Sequence, residues 1–211
     1  MLKKSSAIDR LLRENPNLGE RRFGLPDIGK REDNDFYATD PQTTKLFLYE
    51  FWKDNSFEGN EILECACGQG HISKTLEGLL PNFNITSTDL IDRGYGQGGI
   101  DFLTHDYKKT FDVVITNPPF SLAKEFIEKG LEVSNKYVIM LCKIQLLEGV
   151  KRKEMFEKTP LKYIYVHTTR QATWKGGQPL DPNGKKWATT MCLAWFVWDK
   201  SYKGLPMVKW I

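Results

Sequence analysis

The chain has 211 residues, with 30 Lys and Arg against 27 Asp and Glu and a formal charge of +3. That length suits one ordinary domain with an arm or inserted loop and excludes two large domains joined by a linker. A 40% share of hydrophobic residues can build a core, which excludes wholesale disorder, while apolar runs no longer than 137–142 and 192–198 fall far short of the about 20 residues of a membrane helix.

Residues 1–35 are rich in charge and turn formers and read as a basic and polar arm, with a short helix near 6–13. No hydrophobic stretch of a signal peptide is present there, so a cytoplasmic protein with no membrane partner is expected. From residue 36 to 211, β-rich runs alternate with amphipathic stretches, the pattern of βαβ units around a mostly parallel sheet. The strands expected are 61–65, 84–89, 99–103, 111–117, 137–142, 162–167 and 191–198, and the helices 42–53, 70–80, 121–134 and 144–157. The segment 168–190 has no apolar period and is punctuated by Gly and Pro. A loop of that length is expected to be functional or disordered.

The first long strand runs into Glu64-Cys65-Ala66-Cys67-Gly68-Gln69-Gly70 and a helix begins at His71. Glycines at such a turn let backbone approach a ligand at the carboxyl edge of the sheet. About twenty residues on, the next strand ends in Asp89, where a carboxylate can take ribose hydroxyls or simply cap a turn. Asp101 and Phe102 offer an acceptor and a ring for a base, or a solvent carboxylate beside a core ring. The turn reads G-Q-G-H, with Ser73 where a dinucleotide fold has its third glycine, and no G-x-x-x-x-G-K-[ST] occurs anywhere. Cys65 and Cys67 form C-x-C and read as small packing residues rather than metal ligands.

The strand 111–117 ends in Asn117-Pro118-Pro119-Phe120. Two prolines fix an extended backbone and remove two amide donors, leaving carbonyls as acceptors. With the Asn117 side-chain oxygen and the Phe120 ring, the turn suits a planar group carrying an NH2.

On these motifs the chain resembles the S-adenosylmethionine-dependent amino-methyltransferases, and among them the adenine-N6 DNA methyltransferases with N-P-P-F. The resemblance implies a Rossmann-like class I methyltransferase fold: an α/β, mostly parallel seven-stranded sheet with helices on both faces and an antiparallel last strand. It implies that Asn117, Pro118, Pro119 and Phe120 are catalytic. Glu64, Gly68, Gly70, Asp89, Asp101 and Phe102 would bind S-adenosyl-L-methionine and release S-adenosyl-L-homocysteine, with Tyr37 and Thr39 closing the methionine end. Cys65 departs from the family's proline, and Asp40 is an extra residue before Pro41 in Phe36-Tyr37-Ala38-Thr39-Asp40-Pro41. The expected partner is DNA with the target base flipped out, RNA being the alternative, and oligomeric state is open. A protein glutamine methyltransferase would also take a planar NH2, but that family usually resembles N-P-P-Y. A nucleic-acid-binding module without activity is the non-enzymatic alternative. Arg170, Trp174, Lys175, Lys185 and Lys186 place cations and aromatics on 168–190 and are expected to touch nucleic acid. So compact a chain is similar to enzymes carried by bacteriophages or to solitary methyltransferases, in a bacterial cell or an infected host.

Overall fold

The computed structural model describes residues 37–211 other than 172, 176, 188 and 190, and their side chains except those of residues 151 and 175. The arm expected at 1–35 lies outside the described residues. A two-residue strand, Tyr37–Ala38 (β1), leads into helix α1, Pro41–Phe51. Asp40 starts that helix: its carboxylate accepts the Gln42 amide at 2.9 Å and Pro41 takes the first helical position. The residue that stood out as extra before the proline is therefore a helix cap. Thr44, Phe47, Leu48 and Phe51 recur at three- and four-residue spacing and are buried.

The strands Glu61–Glu64 (β2), Asn84–Ser87 (β3), Phe111–Thr116 (β4) and Ser134–Lys143 (β5) are connected through helices His71–Leu79 (α2) and Ala123–Val133 (α3). After β5 come helix Val150–Lys158 (α4), the strands Leu161–Val166 (β6), Trp174–Lys175 (β7), Leu193–Asp199 (β8) and Met207–Trp210 (β9). The main sheet has seven strands in the order β3-β2-β4-β5-β8-β6-β9. β8 lies antiparallel between β5 and β6, and the other neighbouring pairs are parallel. Every residue of β8 is buried, as a continuous apolar run between two strands and two layers requires.

Successive side chains of the sheet enter two cores. One, with Phe47, Leu48, Ile72, Leu76, Tyr165 and Trp195, lies under α1 and α2. The other, with Phe126, Ile127, Met140, Met155, Phe196 and Trp198, lies under α3 and α4. Both packed faces turn the strand ends into a rim, and the parallel strands all point their carboxyl ends to the same edge.

Three expectations are corrected. Residues 99–103 form no strand: the Asp101 side chain accepts the Leu103 amide at 3.0 Å and its carbonyl accepts those of Thr104 and His105, so a turn wins locally. The seventh strand is instead β9, parallel to β6 at the opposite edge, so the antiparallel strand is not the chain's last. Sequence period missed β9 because its apolar residues are exposed and leave no buried stripe; its backbone pairs with β6, and the Lys209 ammonium lies 4.9 Å from the Tyr163 ring centroid and pairs with Asp54. The helix expected at 144–157 is interrupted, with a 3-10 turn at Ile144–Leu147 and Gly149 at φ 117 before α4.

Candidate active site

At the end of β2 the chain turns through Gly68 and Gly70, at φ 55 and 78, a left-handed conformation that a side chain disfavours. The Gly68 amide donates to Asp89 Oδ2 at 2.7 Å, and the Ile91 amide donates to Oδ1 at 2.9 Å. Asp89 therefore caps its own turn and braces the glycine turn at once. Each oxygen keeps a further lone pair for a hydroxyl.

Glu64 lies below this turn and is 1% exposed. Its Oε2 accepts the Ser73 amide at 2.8 Å and the Ser73 hydroxyl, which also touches Ser87 Oγ at 2.6 Å. Burial pushes the carboxyl up to about 8 despite those bonds. Ser73, noticed in the sequence only for not being glycine, is what positions Glu64. Asp101 is exposed in its turn, whereas Phe102 is 2% exposed, its ring 5.0 Å from Phe126 in the α3-side core. The fold thus separates the two residues that the sequence paired, one to solvent and one to the interior. Cys65 and Cys67 are both buried, and burial pushes the Cys67 thiol up to about 12. Among the described residues no cluster of metal-ligating side chains occurs.

Asn117 follows β4 directly. Its Nδ2 donates to the Tyr37 carbonyl at 3.1 Å and to Thr39 Oγ1 at 3.1 Å. A backbone carbonyl has no proton to give, so the group facing Tyr37 must be the NH2, and Oδ1 is left as an outward acceptor. Tyr37 and Thr39 thereby meet Asn117, a contact no motif spacing revealed across so many residues. The Pro119 carbonyl accepts the Leu122 amide at 2.9 Å, while none of the described loop hydrogen bonds ends on the Pro118 carbonyl. Phe120 is part-buried against the α1-side core, with the Lys143 ammonium 4.6 Å from its ring centroid.

The segment 168–190 is seated on this site. Its strand β7 pairs antiparallel with β1, Lys175 opposite Tyr37 and Trp174 opposite Ala38. The Thr43 hydroxyl donates to Gln171 Oε1 at 3.0 Å, and the Trp174 ring stands edge-on to His71 at 5.3 Å. Gly177, at φ 76, sits so close to Gln69 of the glycine turn that a Cβ would lie 1.8 Å from Oε1. Trp174 is thus turned inward, onto the start of α2. Lys185 and Lys186 are exposed in a turn ordered by Asp181, whose Oδ1 accepts the Lys185 amide at 2.8 Å. Arg170 is exposed and donates from Nη1 to the Thr189 carbonyl at 3.3 Å.

No family model matches the sequence. A Listeria monocytogenes protein assigned to the class I S-adenosylmethionine-dependent methyltransferases superposes with a TM-score of 0.57 at 16% identity, over 82% of this chain and 64% of that one. The chain has the class I methyltransferase fold. The methyltransferase subunit of a type I restriction-modification system from Streptococcus thermophilus gives 0.58 at 12% identity, over 80% of this chain and 45% of that one. A magnesium protoporphyrin IX methyltransferase from Synechocystis, crystallised with bound SAH, gives 0.52 at 11% identity over 76% and 83%. A curated relative, release factor glutamine methyltransferase from Flavobacterium psychrophilum, is 28% identical in an alignment 141 residues long that covers 54% of this chain and 46% of that protein. The match thus spans under half of that relative's length. Among the described residues no helix is long and apolar enough to cross a membrane.

Proposed function

We propose that the chain transfers a methyl group from S-adenosylmethionine to the exocyclic N6 amine of adenine in DNA, on a base flipped out of the duplex. The observation that carries this is the pinned amide of Asn117, which aims an oxygen acceptor outward beside two prolines and an aromatic ring. When bound, S-adenosylmethionine supplies a sulfonium-activated methyl group. Its nucleoside and methionine parts fit this chain: Asp89 retains lone pairs for ribose hydroxyls, and the buried Glu64 carboxyl has no cationic partner among the described residues, which an ammonium would provide.

An adenine amine is a poor nucleophile because its lone pair is delocalised into the ring. Hydrogen bonds from the amine to Asn117 Oδ1 and to the Pro118 carbonyl favour a tetrahedral nitrogen and free the lone pair toward the methyl donor. Rate then comes from positioning and electrostatics. The methylated nitrogen is acidic and loses its proton to water, so no side chain has to act as a strong base. Within duplex DNA the amine lies inside the stack, which requires extrusion of the nucleotide into the pocket, with Phe120 as its platform. Lys185, Lys186 and Arg170 are exposed, and in this reading their charges contact phosphates. The likeness to a restriction-modification subunit supports a nucleic-acid substrate.

The 28% identical relative favours a second reading, in which the planar NH2 is a glutamine side chain of a protein. Phe120 in place of tyrosine speaks against it. The discriminating experiment incubates the protein and labelled S-adenosylmethionine with duplex DNA, single-stranded DNA, tRNA and a glutamine-bearing release factor, and identifies the modified residue by mass spectrometry. N6-methyladenine in DNA is expected. Label on glutamine, or on RNA alone, overturns the reading. Asn117→Ala should abolish most transfer while binding cofactor as before; equal turnover would remove Asn117 from the mechanism.

A further inference from the structure

β5 is buried without interruption from Tyr137 to Cys142 and then ends on a part-buried cation, Lys143. A lysine closing so apolar a strand is out of keeping with its pattern. The register explains where it stands: Met140 is opposite Thr116, so Lys143 lies three residues further along, beside the turn Asn117–Phe120 that follows β4. Its Nζ is 4.6 Å from the centroid of Phe120, and no carboxylate among the described residues pairs with it. A cation over a ring face is favourable, yet the same ring is where a planar substrate must stack. Ammonium and base cannot both occupy that face.

We infer that Lys143 is a recognition residue for the target base: it rests on Phe120 until the base takes its place, then donates to a ring nitrogen next to the amine. This rests on the reading of the site given above. The chemistry suits adenine. With its amine held by Asn117 and Pro118, adenine presents unprotonated N1 and N7 on the two sides of that amine, and either accepts from an ammonium. Guanine carries a hydrogen on N1 beside its own amine and meets Lys143 with a donor on that side. Lys143 would therefore contribute to base choice, which the two oxygen acceptors alone, blind to anything but an NH2, cannot make.

The test uses the full chain and a duplex in which the experiment above detects N6-methyladenine, with adenine, 1-deazaadenine or 7-deazaadenine at the target position. Wild type is compared with Lys143→Met, which keeps an unbranched side chain on the ring but has no donor, and with Lys143→Arg. Wild type should lose about tenfold or more in kcat/KM on one of the two analogues, the effect of one charge-assisted hydrogen bond. Lys143→Met should lose a similar factor on adenine and no longer separate adenine from that analogue, with cofactor affinity unchanged. Lys143→Arg should recover part of the discrimination. The dependence of binding on salt should be the same in wild type and Lys143→Met. A salt slope lower by about one in the variant means a phosphate contact and overturns the base contact. So does a Lys143→Met enzyme that separates the analogues as well as wild type does. If wild type methylates no adenine at all, the fault lies with the reading of the site and the inference falls with it.

Discussion

Thr39→Val removes one of the two acceptors that hold the Asn117 amide while preserving shape. Thr39 is 4% exposed, so water has little access to replace the lost hydroxyl. An unpaired buried donor costs about 1–3 kcal/mol. Charged wholly against the productive amide orientation, that becomes about a 5- to 150-fold loss in the methyl-transfer rate. The Tyr37 carbonyl still selects the NH2 side, so the variant should remain more active than Asn117→Ala. Single-turnover transfer at saturating cofactor measures the rate, and calorimetry measures cofactor affinity separately. Thr39→Ser, which restores a hydroxyl, should recover most of the rate. In an Asn117→Ala background Thr39→Val should have no further effect, because the group it positions is gone. The reasoning fails if the defect lies entirely in cofactor affinity, or if the same loss appears in the Asn117→Ala background. Either outcome would return Thr39 to the purely cofactor-binding role that the sequence resemblance implies.

Asp89→Ala deprives the Gly68 and Ile91 amides of their acceptor, and cofactor affinity should fall about tenfold or more by calorimetry; an unchanged affinity would contradict the brace. Glu64, held protonated by burial up to about 8, should give up its proton when an ammonium binds beside it, so affinity should rise with pH until the α-ammonium itself titrates at about 8, and Glu64→Gln should flatten that rise. Without cofactor the same raised pKa stabilises the fold fully below 4.5 and loses that contribution as pH climbs to about 8. The wild-type melting temperature should therefore fall across that window relative to Glu64→Gln. His167 has neither ring nitrogen paired among the described residues, and burial pushes it down to about 4. Its neutral form supports the fold above 6.5 and that support is lost as pH falls toward 4, so His167→Phe should melt with a shallower dependence on pH in that range.

The parts of this protein that sequence makes legible are those governed by local period and short motifs. β4 and β8 announce themselves as apolar runs, and the glycine turn and N-P-P-F sit where strands must end. The parts it hides depend on which segments meet. Tyr37 and Asn117 are far apart in sequence, and only folding puts a carbonyl against an amide. Phe102 reads as a platform for a base or as a core ring, and nothing in the sequence discloses that Phe126 lies against it. β9 is an exposed edge strand in which Met207, Val208 and Trp210 lack a buried stripe, so alternation carries little information there. Lys143 could have been noticed, as a charge terminating an uninterrupted apolar strand at the carboxyl edge, but nothing in the sequence says that Phe120 lies across from it.

β6 and β8 are antiparallel neighbours, with Val166 opposite Ala194, so the long excursion that visits the rim departs and returns through adjacent positions about 5 Å apart. Its ends are fixed by the sheet whatever lies between them. Because closing a longer loop adds little entropy cost, the exposed turn around Lys185 and Lys186 can be lengthened or shortened with little loss of stability, whereas β7 and Gly177 tie the first part of the segment to β1 and to Gln69 of the glycine turn. One excursion thus joins a part that tolerates change to a part anchored on the rim.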